Sequence, residues 1–332
     1  MAKHFKESNS CKPLKKILFI RLQAIGDSII TYPYIREFTD RNPSFEVHFL
    51  TRSSASDIPK FLKFFTRVWV LQGKRRPIHR LPYVSLLLPL LLWQRFDVVC
   101  DLQNNRESRL IRRLLFPKKY SAFDVYSPIP AGERVYNAIN ELGLNFSKPN
   151  FRPYVLNKPP IYEFDKDTLK VVINPAGFYS SRNWPYKYYV EWATAFLQHS
   201  KKKVQFVLIG IDRVEKFANS FSLQFPEHTV NLVNKTSLSE AFVLIQRIDF
   251  MLSEDSGLMH MAWVSGVKTL AIFGSTRSDW SGPLGPHSIL LDSSDMECGN
   301  CMLPTCKFGD NRCLTRYTPQ IVLEKTFQLL NT

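Results

Sequence analysis

The sequence predicts an α/β protein built from two successive Rossmann-like halves. Short apolar strands alternate with amphipathic helices over residues 15–144, and the same alternation starts again at residue 169. Residues 149–160 carry four prolines, and such a stretch cannot form the interior of a sheet. A chain of 332 residues also exceeds what one hydrophobic core usually serves. We therefore expect one domain over residues 1–157 and a second over residues 158–332.

The first half opens with a buried strand, ILFIRL, which leads through a glycine-containing turn into a helix. Gly26 and Asp27 lie in that turn. No GxGxxG motif is present there, so the pattern does not favour a dinucleotide site. Further strands are expected at 45–50, 68–71 and 96–102, with a very basic helix at 106–116 and another helix at 133–144.

The second half repeats the alternation and leads to the segment around which the chain is organised. Strands are expected at 169–174, 204–210 and 229–234, helices at 183–198, 214–225 and 238–247, and a final helix ending at 330. Residues 249–274 then predict a strand, a polar turn at 253–257, an apolar helix at 258–264 and another buried strand.

The helix start in this segment is a candidate phosphate site. A helix N-terminus at the carboxyl edge of a parallel sheet favours anions through its free N–H groups and its dipole. Ser256 and Gly257 suit close approach of a ligand to the backbone, and His260 could face the same ligand. The alternative is that Asp255 or Ser256 only caps the helix and that His260 is an ordinary surface residue.

The charge balance predicts an anionic partner. The chain has 44 Lys and Arg against 29 Asp and Glu, a formal net charge of +15. Nucleic acid, an acidic membrane or a phosphorylated substrate would each fit such an excess. The basic, polar N-terminus has no apolar centre and does not resemble a signal peptide, so we expect a cytoplasmic protein, with the cytoplasmic face of the inner membrane as a further candidate position.

Residues 74–95 form a candidate membrane contact. The longest apolar run, 84–93, is too short to span a bilayer and contains Pro89. A group of cations precedes it, which suits a helix lying in the interface of an anionic leaflet: Lys74, Arg75, Arg76 and Arg80. The alternative is an ordinary core helix.

Three further residues have chemistry suited to a transfer reaction, each with a structural alternative. Asp27 could act as a general base at the sheet edge, or cap its helix. Arg182 could clamp phosphate oxygens, or simply lie in solvent. Glu215 could accept hydrogen bonds from ribose hydroxyls, or lie on the outer face of its helix.

The cysteines are clustered rather than spread along the chain. Four of the six fall within residues 298–313 as Cys298, Cys301, Cys306 and Cys313. The first two form a CxxC, a spacing that lets two thiolates bind one ion, and disulfides rarely persist in a reducing cytoplasm. One hypothesis is that the four thiolates of this loop bind a structural zinc or iron ion, and the other is that they are four reduced thiols at the surface.

Taken together, these segments resemble the ADP-heptose:lipopolysaccharide heptosyltransferases of glycosyltransferase family 9. The similarity spreads over residues 15–330, and the order and spacing of its motifs carry it more than any single motif. Four stretches are similar to the family's: IGDSIITYPYIREF, FDVVCDLQNNRESRL, SSRNWPYKYYVEWA and SEDSGLMHMAWVSGVKTLAIFGSTRSDWSGPLG.

The resemblance implies a GT-B fold, with the acceptor on the N-terminal domain and the nucleotide-sugar on the C-terminal domain. It implies an inverting transfer of heptose from ADP-heptose to a lipopolysaccharide-core glycolipid, without a catalytic metal. Asp27 matches the family's base, and Arg182 matches the basic residue that stabilises the leaving diphosphate. The residues that match substrate-binding positions are Gly26, Glu215, Asp255, Ser256, Gly257 and His260.

Other functions remain open from the sequence. The acceptor could be a protein or another glycan outside lipopolysaccharide. The Arg-rich helix at 106–113 could belong to a nucleic-acid-binding protein, although no zinc-finger, helix-turn-helix or RNP pattern is visible and we expect no nucleic-acid partner. A family member that binds nucleotide-sugar without turnover is a third possibility, which the presence of both Asp27 and Arg182 disfavours.

Overall fold

The computed structural model describes residues 15–72, 81–175, 177 and 179–331, and the side chains of 81 and 82 are not described. The first half of the chain forms a five-stranded parallel sheet with the strand order β3-β2-β1-β4-β5. Its strands are β1 (Lys15–Ile20), β2 (Phe45–Arg52), β3 (Arg67–Leu71), β4 (Val98–Asp101) and β5 (Lys119–Ala122). Its helices are α1 (Ile25–Arg41), α2 (Leu81–Gln94), α3 (Arg106–Leu114) and α4 (Ala131–Asn140).

The second half forms a six-stranded parallel sheet with the order β11-β10-β9-β6-β7-β8. Its strands are β6 (Thr168–Asn174), β7 (Lys203–Leu208), β8 (Thr229–Asn231), β9 (Phe250–Glu254), β10 (Lys268–Ile272) and β11 (Ser288–Leu291). Its helices are α5 (Tyr186–His199), α6 (Glu215–Gln224), α7 (Leu238–Ile245), α8 (Gly257–Val264), α9 (Ser278–Ser281), α10 (Arg312–Thr315) and α11 (Pro319–Leu330).

Each sheet therefore has a point at which the strand order reverses. In the first sheet this point lies between β1 and β4, and in the second between β6 and β9. Open parallel sheets bind ligands at the carboxyl edge of such a point, because loops diverge to opposite faces there and leave a crevice. The segments that follow β1 and β9 are the two that the sequence singled out.

Side chains of alternate residues in β1 face two different cores, as the period of a strand requires. Ile17 and Phe19 belong to a core that contains α1 and α4 and continues into Met259 and Trp263 of α8. The two halves thus share apolar packing through α1 and α8. Leu18 and Ile20 face the opposite side, where α2 and α3 cover the sheet.

The structure confirms the two α/β halves and most of the predicted elements, with four corrections. Helix α1 begins at Ile25, so Gly26 and Asp27 lie in its first turn rather than in a turn before it. Ser253 and Glu254, predicted in a polar turn, are the last residues of β9 and are fully buried. Helix α4 begins and ends earlier than the predicted 133–144. The short edge strands β5 and β11 were not predicted, because four-residue runs carry little periodic signal.

The predicted membrane segment is only partly described. Lys74, Arg75, Arg76 and Arg80 lie outside the described residues. The apolar run forms α2, whose inner side packs on the sheet through residues such as Leu91 and whose outer side is exposed. None of the helices in the described part of the chain is long and apolar enough to cross a membrane.

Candidate functional site

A cavity of about 770 Å³ lies where the carboxyl edges of the two sheets face each other. Both halves of the chain line it, and its charged residues are two carboxylates and a set of arginines. Such a concave site with convergent polar groups is the expected form of a ligand pocket. The predicted residues found in its lining are Gly26, Asp27, Arg182, Asp255, Ser256, Gly257 and His260.

Asp27 reaches this cavity from the first turn of α1. Its side chain is 42% exposed, and its Oδ2 accepts the backbone N–H of Ala24 at 3.1 Å. Arg21 Nη2 lies 3.0 Å from the same oxygen. Burial would raise the pKa of Asp27, but the charge of Arg21 and the hydrogen bonds outweigh it and hold this pKa below its usual range. The carboxylate is therefore ionised at neutral pH and open to a ligand, so it is both a cap and a candidate base.

Arg21 is a candidate site residue that the sequence reasoning missed, since it lines the cavity and pairs with Asp27. It follows β1, is only 5% exposed, and also donates to the carbonyl of Leu102 after β4. Its guanidinium lies over the ring of Phe123 at 5.1 Å. Burying an arginine destabilises a fold unless the charge is paired, and the partner of Arg21 is Asp27. The signal available in the sequence was an arginine inside an apolar strand, six residues before an aspartate.

The loop between β1 and α1 is held from the neighbouring strand. The backbone N–H groups of Leu22 and Gln23 donate to Oε1 of Gln103 at 3.0 and 2.9 Å. Asp101, fully buried at the end of β4, accepts the N–H of Gln103 and of Asn104. The FDVVCDLQ stretch therefore fixes the loop that presents Asp27.

Helix α8 points its N-terminus at the same cavity. Ser256 is its N-cap, with an Oγ that accepts the Met259 N–H at 3.2 Å and a hydrogen bond from Asn174 Nδ2 at 2.5 Å. The capping role considered for Ser256 is thus present. The other N–H groups of the first turn have no intrahelical acceptor, because the chain before them is not helical. A Cβ built on Gly257 would meet no heavy atom within 4 Å, so the cavity reaches the backbone there.

His260 lies between the two halves rather than on the surface. It is 5% exposed, and its Nδ1 accepts the Trp263 Nε1–H at 3.0 Å. Burial lowers its pKa, although the charges of Asp255 and Asp27 act in the opposite direction. The neutral ring with Nδ1 as acceptor carries its proton on Nε2. That atom would lie 3.5 Å from a Cβ built on Gly26, so the Nε2–H faces the other half.

Arg182 approaches α8 from the segment that precedes α5. Its Nη1 lies 3.5 Å from Oδ2 of Asp255, and both side chains are largely buried. Its Nε has no hydrogen-bond acceptor in the structure. The turn that carries it is tied to the cysteine loop, since Ser181 Oγ donates to the Leu303 carbonyl and its N–H to that of Pro304. A cation is therefore fixed beside a helix N-terminus, an arrangement suited to a phosphate.

Glu254 is a second residue that the sequence reasoning missed. Its carboxylate is fully buried and accepts the N–H groups of Gly177 and Trp184, both at 2.6 Å, and the Tyr189 hydroxyl at 3.0 Å. Burial raises its pKa to about 8 despite these three hydrogen bonds. It ties both ends of the segment that carries Arg182 to the end of β9.

A second cavity of about 680 Å³ adjoins the first and shares Gly26, Asp255, Ser256 and Gly257 with it. The remainder of its lining is mostly apolar and comes from the segment after β7, from the start of α7 and the residues before it, and from α1 and α8. Glu215, predicted to bind ribose, is exposed at the first position of α6 and is not among the lining residues, whereas Arg213 and Val214 are. The structure therefore gathers every predicted substrate residue except Glu215 around two joined cavities.

The four cysteines of residues 298–313 line one small cavity of about 20 Å³. Four backbone N–H groups around Cys306 lower its thiol pKa, although burial opposes them. Burial and the neighbouring thiols raise the pKa of Cys313 to about 11. Over the described residues, no group of three or more His, Cys, Asp or Glu side chains is arranged to hold a metal ion. The predicted four-thiolate metal site is therefore not preformed in this structure.

The chain is similar in sequence to known glycosyltransferases. A family model for glycosyltransferase family 9 (heptosyltransferase) matches residues 130–311. The lipooligosaccharide heptosyltransferase 2 of Campylobacter jejuni is 30% identical over 163 residues, 48% of this chain and 50% of that protein. The chain thus spans about half the length of the curated relatives it matches.

Solved structures show the same fold over nearly the whole chain. The glycosyl transferase family 9 structure from Veillonella parvula has a TM-score of 0.78 at 18% identity, covering 96% of this chain and 99% of that one. The E. coli heptosyltransferase WaaC with ADP has a TM-score of 0.73 at 18% identity, covering 95% and 99%. The predicted GT-B fold is confirmed.

Proposed function

The chain belongs to glycosyltransferase family 9, and from that premise we propose that it transfers heptose from ADP-heptose to a lipopolysaccharide-core acceptor. One observation carries the proposal. The carboxylate of Asp27, on the first half, and the open N-terminus of α8, on the second, face one cavity. A base and an anion site on opposite sides of a cleft are what a transfer between two substrates needs.

The joined cavities support an assignment of the donor. We place the nucleoside in the mostly apolar 680 Å³ cavity and the sugar and acceptor in the 770 Å³ cavity. The diphosphate would then lie at their shared wall, at Ser256 and Gly257, beside Arg182. The solved relative that contains ADP supports a nucleoside diphosphate of this class. Glu215 lines neither cavity, although its neighbour Val214 does, so its contact with a ribose stays a prediction.

The reaction can be written from these positions. Asp27 takes the proton of an acceptor hydroxyl, whose oxygen attacks the anomeric carbon of the sugar. The bond between that carbon and the diphosphate oxygen breaks on the opposite face, so the configuration inverts. Negative charge grows on the leaving diphosphate, and the α8 N–H groups and Arg182 are placed to stabilise it. His260 can offer its Nε2–H at the same place without giving up a proton. Every step uses a side chain or a backbone N–H group of this chain.

The arginines support an anionic acceptor. Arg134 is 7% exposed, lines the cavity, and has an Nε without a hydrogen-bond acceptor. Arg277 lines the same cavity, pairs with Asp279, and stacks its guanidinium over Trp280 at 4.4 Å. Carboxylates or phosphates of a lipopolysaccharide core would fit these cations, and an exposed tryptophan can pack against a sugar ring. A protein acceptor or a nucleic-acid partner has no comparable observation in its favour.

The general base can be tested by Asp27→Asn. We expect transfer from ADP-heptose to fall by about 10²–10⁴, while the donor affinity measured by calorimetry stays within a few fold. Asp40→Asn, the same chemical change near the other end of α1, is the matched control and should transfer normally. Equal turnover in the two variants would exclude Asp27 as the base. A screen of ADP- and UDP-sugars for thermal stabilisation would identify the donor, since a ligand at 100 times its Kd stabilises by about 2.7 kcal/mol.

The diphosphate position has its own test. Arg182→Ala removes the cation, and Gly257→Val fills space at the helix start, where a Cβ has no heavy atom within 4 Å. Both should weaken ADP-sugar binding, and Lys187→Ala, an exposed lysine of α5, should not. Normal donor binding by both variants would place the diphosphate elsewhere.

We further propose that the four thiols of residues 298–313 hold a structural zinc or iron ion in the purified protein. Their shared cavity and the N–H groups around Cys306 support this, because such groups stabilise a thiolate. The ion would have to draw the thiolates closer together than they lie here. Its role would be to order the loop whose Leu303 carbonyl supports the turn before Arg182.

A further inference from the structure

The outer side of α2 is an exposed apolar stripe on a helix whose inner side is also apolar. Leu87, Leu88 and Leu91 face the sheet and line a small gap with Ile111 of α3. The opposite side carries large apolar residues at helical spacing, with exposed fractions of 42%, 72%, 49% and 78%: Tyr83, Leu86, Leu90 and Trp93. A helix that faces water on its outer side normally carries polar residues there.

Helix α3 lies beside α2 and adds positive charge and further apolar surface. Arg106, Arg109 and Arg113 are exposed and recur at helical spacing. Leu110 is 50% exposed on the same helix, and Phe116, just beyond it, is 82% exposed. The surface formed by residues 83–93 and 106–116 therefore combines an apolar stripe with a row of arginines.

The acidic residues of this region do not cancel the arginines. Glu107 pairs with Arg52, and Asp97 pairs with Lys118. The positive charge of α3 is therefore left to face outward, in keeping with the net charge of +15 over the chain. A protein partner would need an acidic, apolar surface of matching form, whereas an anionic lipid leaflet presents both properties at once.

We propose that the surface formed by residues 83–93 and 106–116 binds an anionic membrane, with α2 lying flat in the interface. Its leucines would enter the boundary between headgroups and acyl chains, and Trp93 would take the position that tryptophan prefers there. The arginines of α3 would contact lipid phosphates. This goes beyond the proposed transfer reaction, because it concerns lipid headgroups and not the sugar acceptor.

The surface lies on a defined side of the molecule. Helices α2 and α3 cover one face of the first sheet, and α1, which carries Asp27, lies on the other. Binding through α2 and α3 thus leaves the second half of the chain, which packs against α1, free of the membrane.

Co-sedimentation of the full chain with vesicles tests the proposal. Vesicles of phosphatidylglycerol and phosphatidylethanolamine provide an anionic surface, and phosphatidylcholine vesicles a neutral one. We expect strong binding to the anionic vesicles only. Leu86→Gln with Trp93→Gln should abolish it, and changing the three arginines of α3 to Gln should lower it by about fivefold for each arginine removed.

Leu223→Gln is the matched control, because Leu223 is 84% exposed on α6 in the other half. It should bind vesicles like the unchanged protein. The variants alter exposed side chains, and unchanged thermal unfolding would verify that they fold. Quenching of Trp93 fluorescence by brominated lipid, lost in Trp93→Phe, would place that residue in the bilayer.

Three results would overturn the proposal: no binding to either vesicle, binding unaffected by the α2 variant, or a dimer in ultracentrifugation that the α2 variant disperses while vesicle binding is absent. The last result would assign this surface to a second copy of the chain. None of these measurements needs acceptor or donor sugar, so a failure here leaves the proposed transfer untouched.

Discussion

The contact between Gly26 and His260 allows a direct test of how the two halves of the chain fit together. A Cβ added at Gly26 would lie 2.8 Å from Cδ2 of His260. Carbon atoms pack at about 3.5–4.0 Å, so the overlap is about 0.7 Å or more. His260 cannot turn away freely, because the Trp263 Nε1–H holds its Nδ1. Overpacking of this kind costs about 1–3 kcal/mol.

Gly257→Ala is the matched control for Gly26→Ala. Both glycines lie in the first turn of a helix and neither has a positive φ, so both should gain about 0.5–1 kcal/mol from replacing glycine by alanine. Only the alanine at position 26 meets the other half, since position 257 has open space around it. The difference between the two variants therefore isolates the contact and should be about 1–3 kcal/mol.

Urea unfolding of the two variants measures this difference directly. We expect a lower midpoint for Gly26→Ala than for Gly257→Ala, with similar slopes. Turnover of Gly26→Ala should also fall, by up to about 100-fold, because a base displaced by about 1 Å loses its alignment. Equal midpoints with full turnover would mean that Gly26 and His260 do not meet in solution and that the closed arrangement of the cavity is wrong.

Three further predictions follow from buried charges and thiols. Arg21→Gln should move the acid limb of the kcat/KM profile to higher pH, because Arg21 lowers the pKa of Asp27; an unmoved limb would exclude this role. Glu254→Gln should lose about 1–3 kcal/mol in urea unfolding, since its NH2 group cannot accept a hydrogen bond from the N–H and O–H donors that surround the carboxyl group. The raised pKa of Glu254 means that its stability contribution is complete below the ordinary carboxyl pKa and is lost as pH rises through about 8, a loss that the Gln variant should not show. Cys301→Ser should release any structural metal measured by elemental analysis, and less than about a tenth of an equivalent in the unchanged protein would end the metal proposal.

The parts of the fold that the sequence could predict are those whose signal is local. Residues 17–22 read as an apolar strand, and residues 249–274 read as two apolar strands around a helix that follows a polar turn. The structure has these elements within a few residues of the expected bounds. A parallel sheet buries its strands on both faces, so such runs are nearly continuous and easy to recognise. Asp27 and Ser256 were each predictable at the carboxyl edge of a sheet, because both come after apolar strands, and their position on one cleft was implied by the family resemblance.

The parts that could not be predicted depend on partners that are distant in the chain. Glu254 was placed in a turn because a carboxylate in a strand is unusual, and the N–H groups that justify its burial lie 70 and 77 residues away. The burial of Arg21 was unpredictable for the same reason, since the carbonyl that its guanidinium donates to belongs to Leu102, 81 residues away. Glu215 was assigned from a match in position, and the structure exposes it because α6 starts one residue beyond the cavity wall.

Each half directs a helix N-terminus into the cavity, but the charge at the two helix ends differs. Helix α1 carries a carboxylate in its first turn, and Asp27 already accepts the Ala24 N–H. The positive end of that helix is therefore neutralised by its own side chain, which suits the proposed base and disfavours an anion site there. Helix α8 begins with Gly257, which brings no side chain, so its N–H groups stay available to an outside anion. The first-turn residues thus agree with the proposed assignment of the proton acceptor to the first half and of the diphosphate to the second, because the reverse arrangement would place an anion beside Asp27.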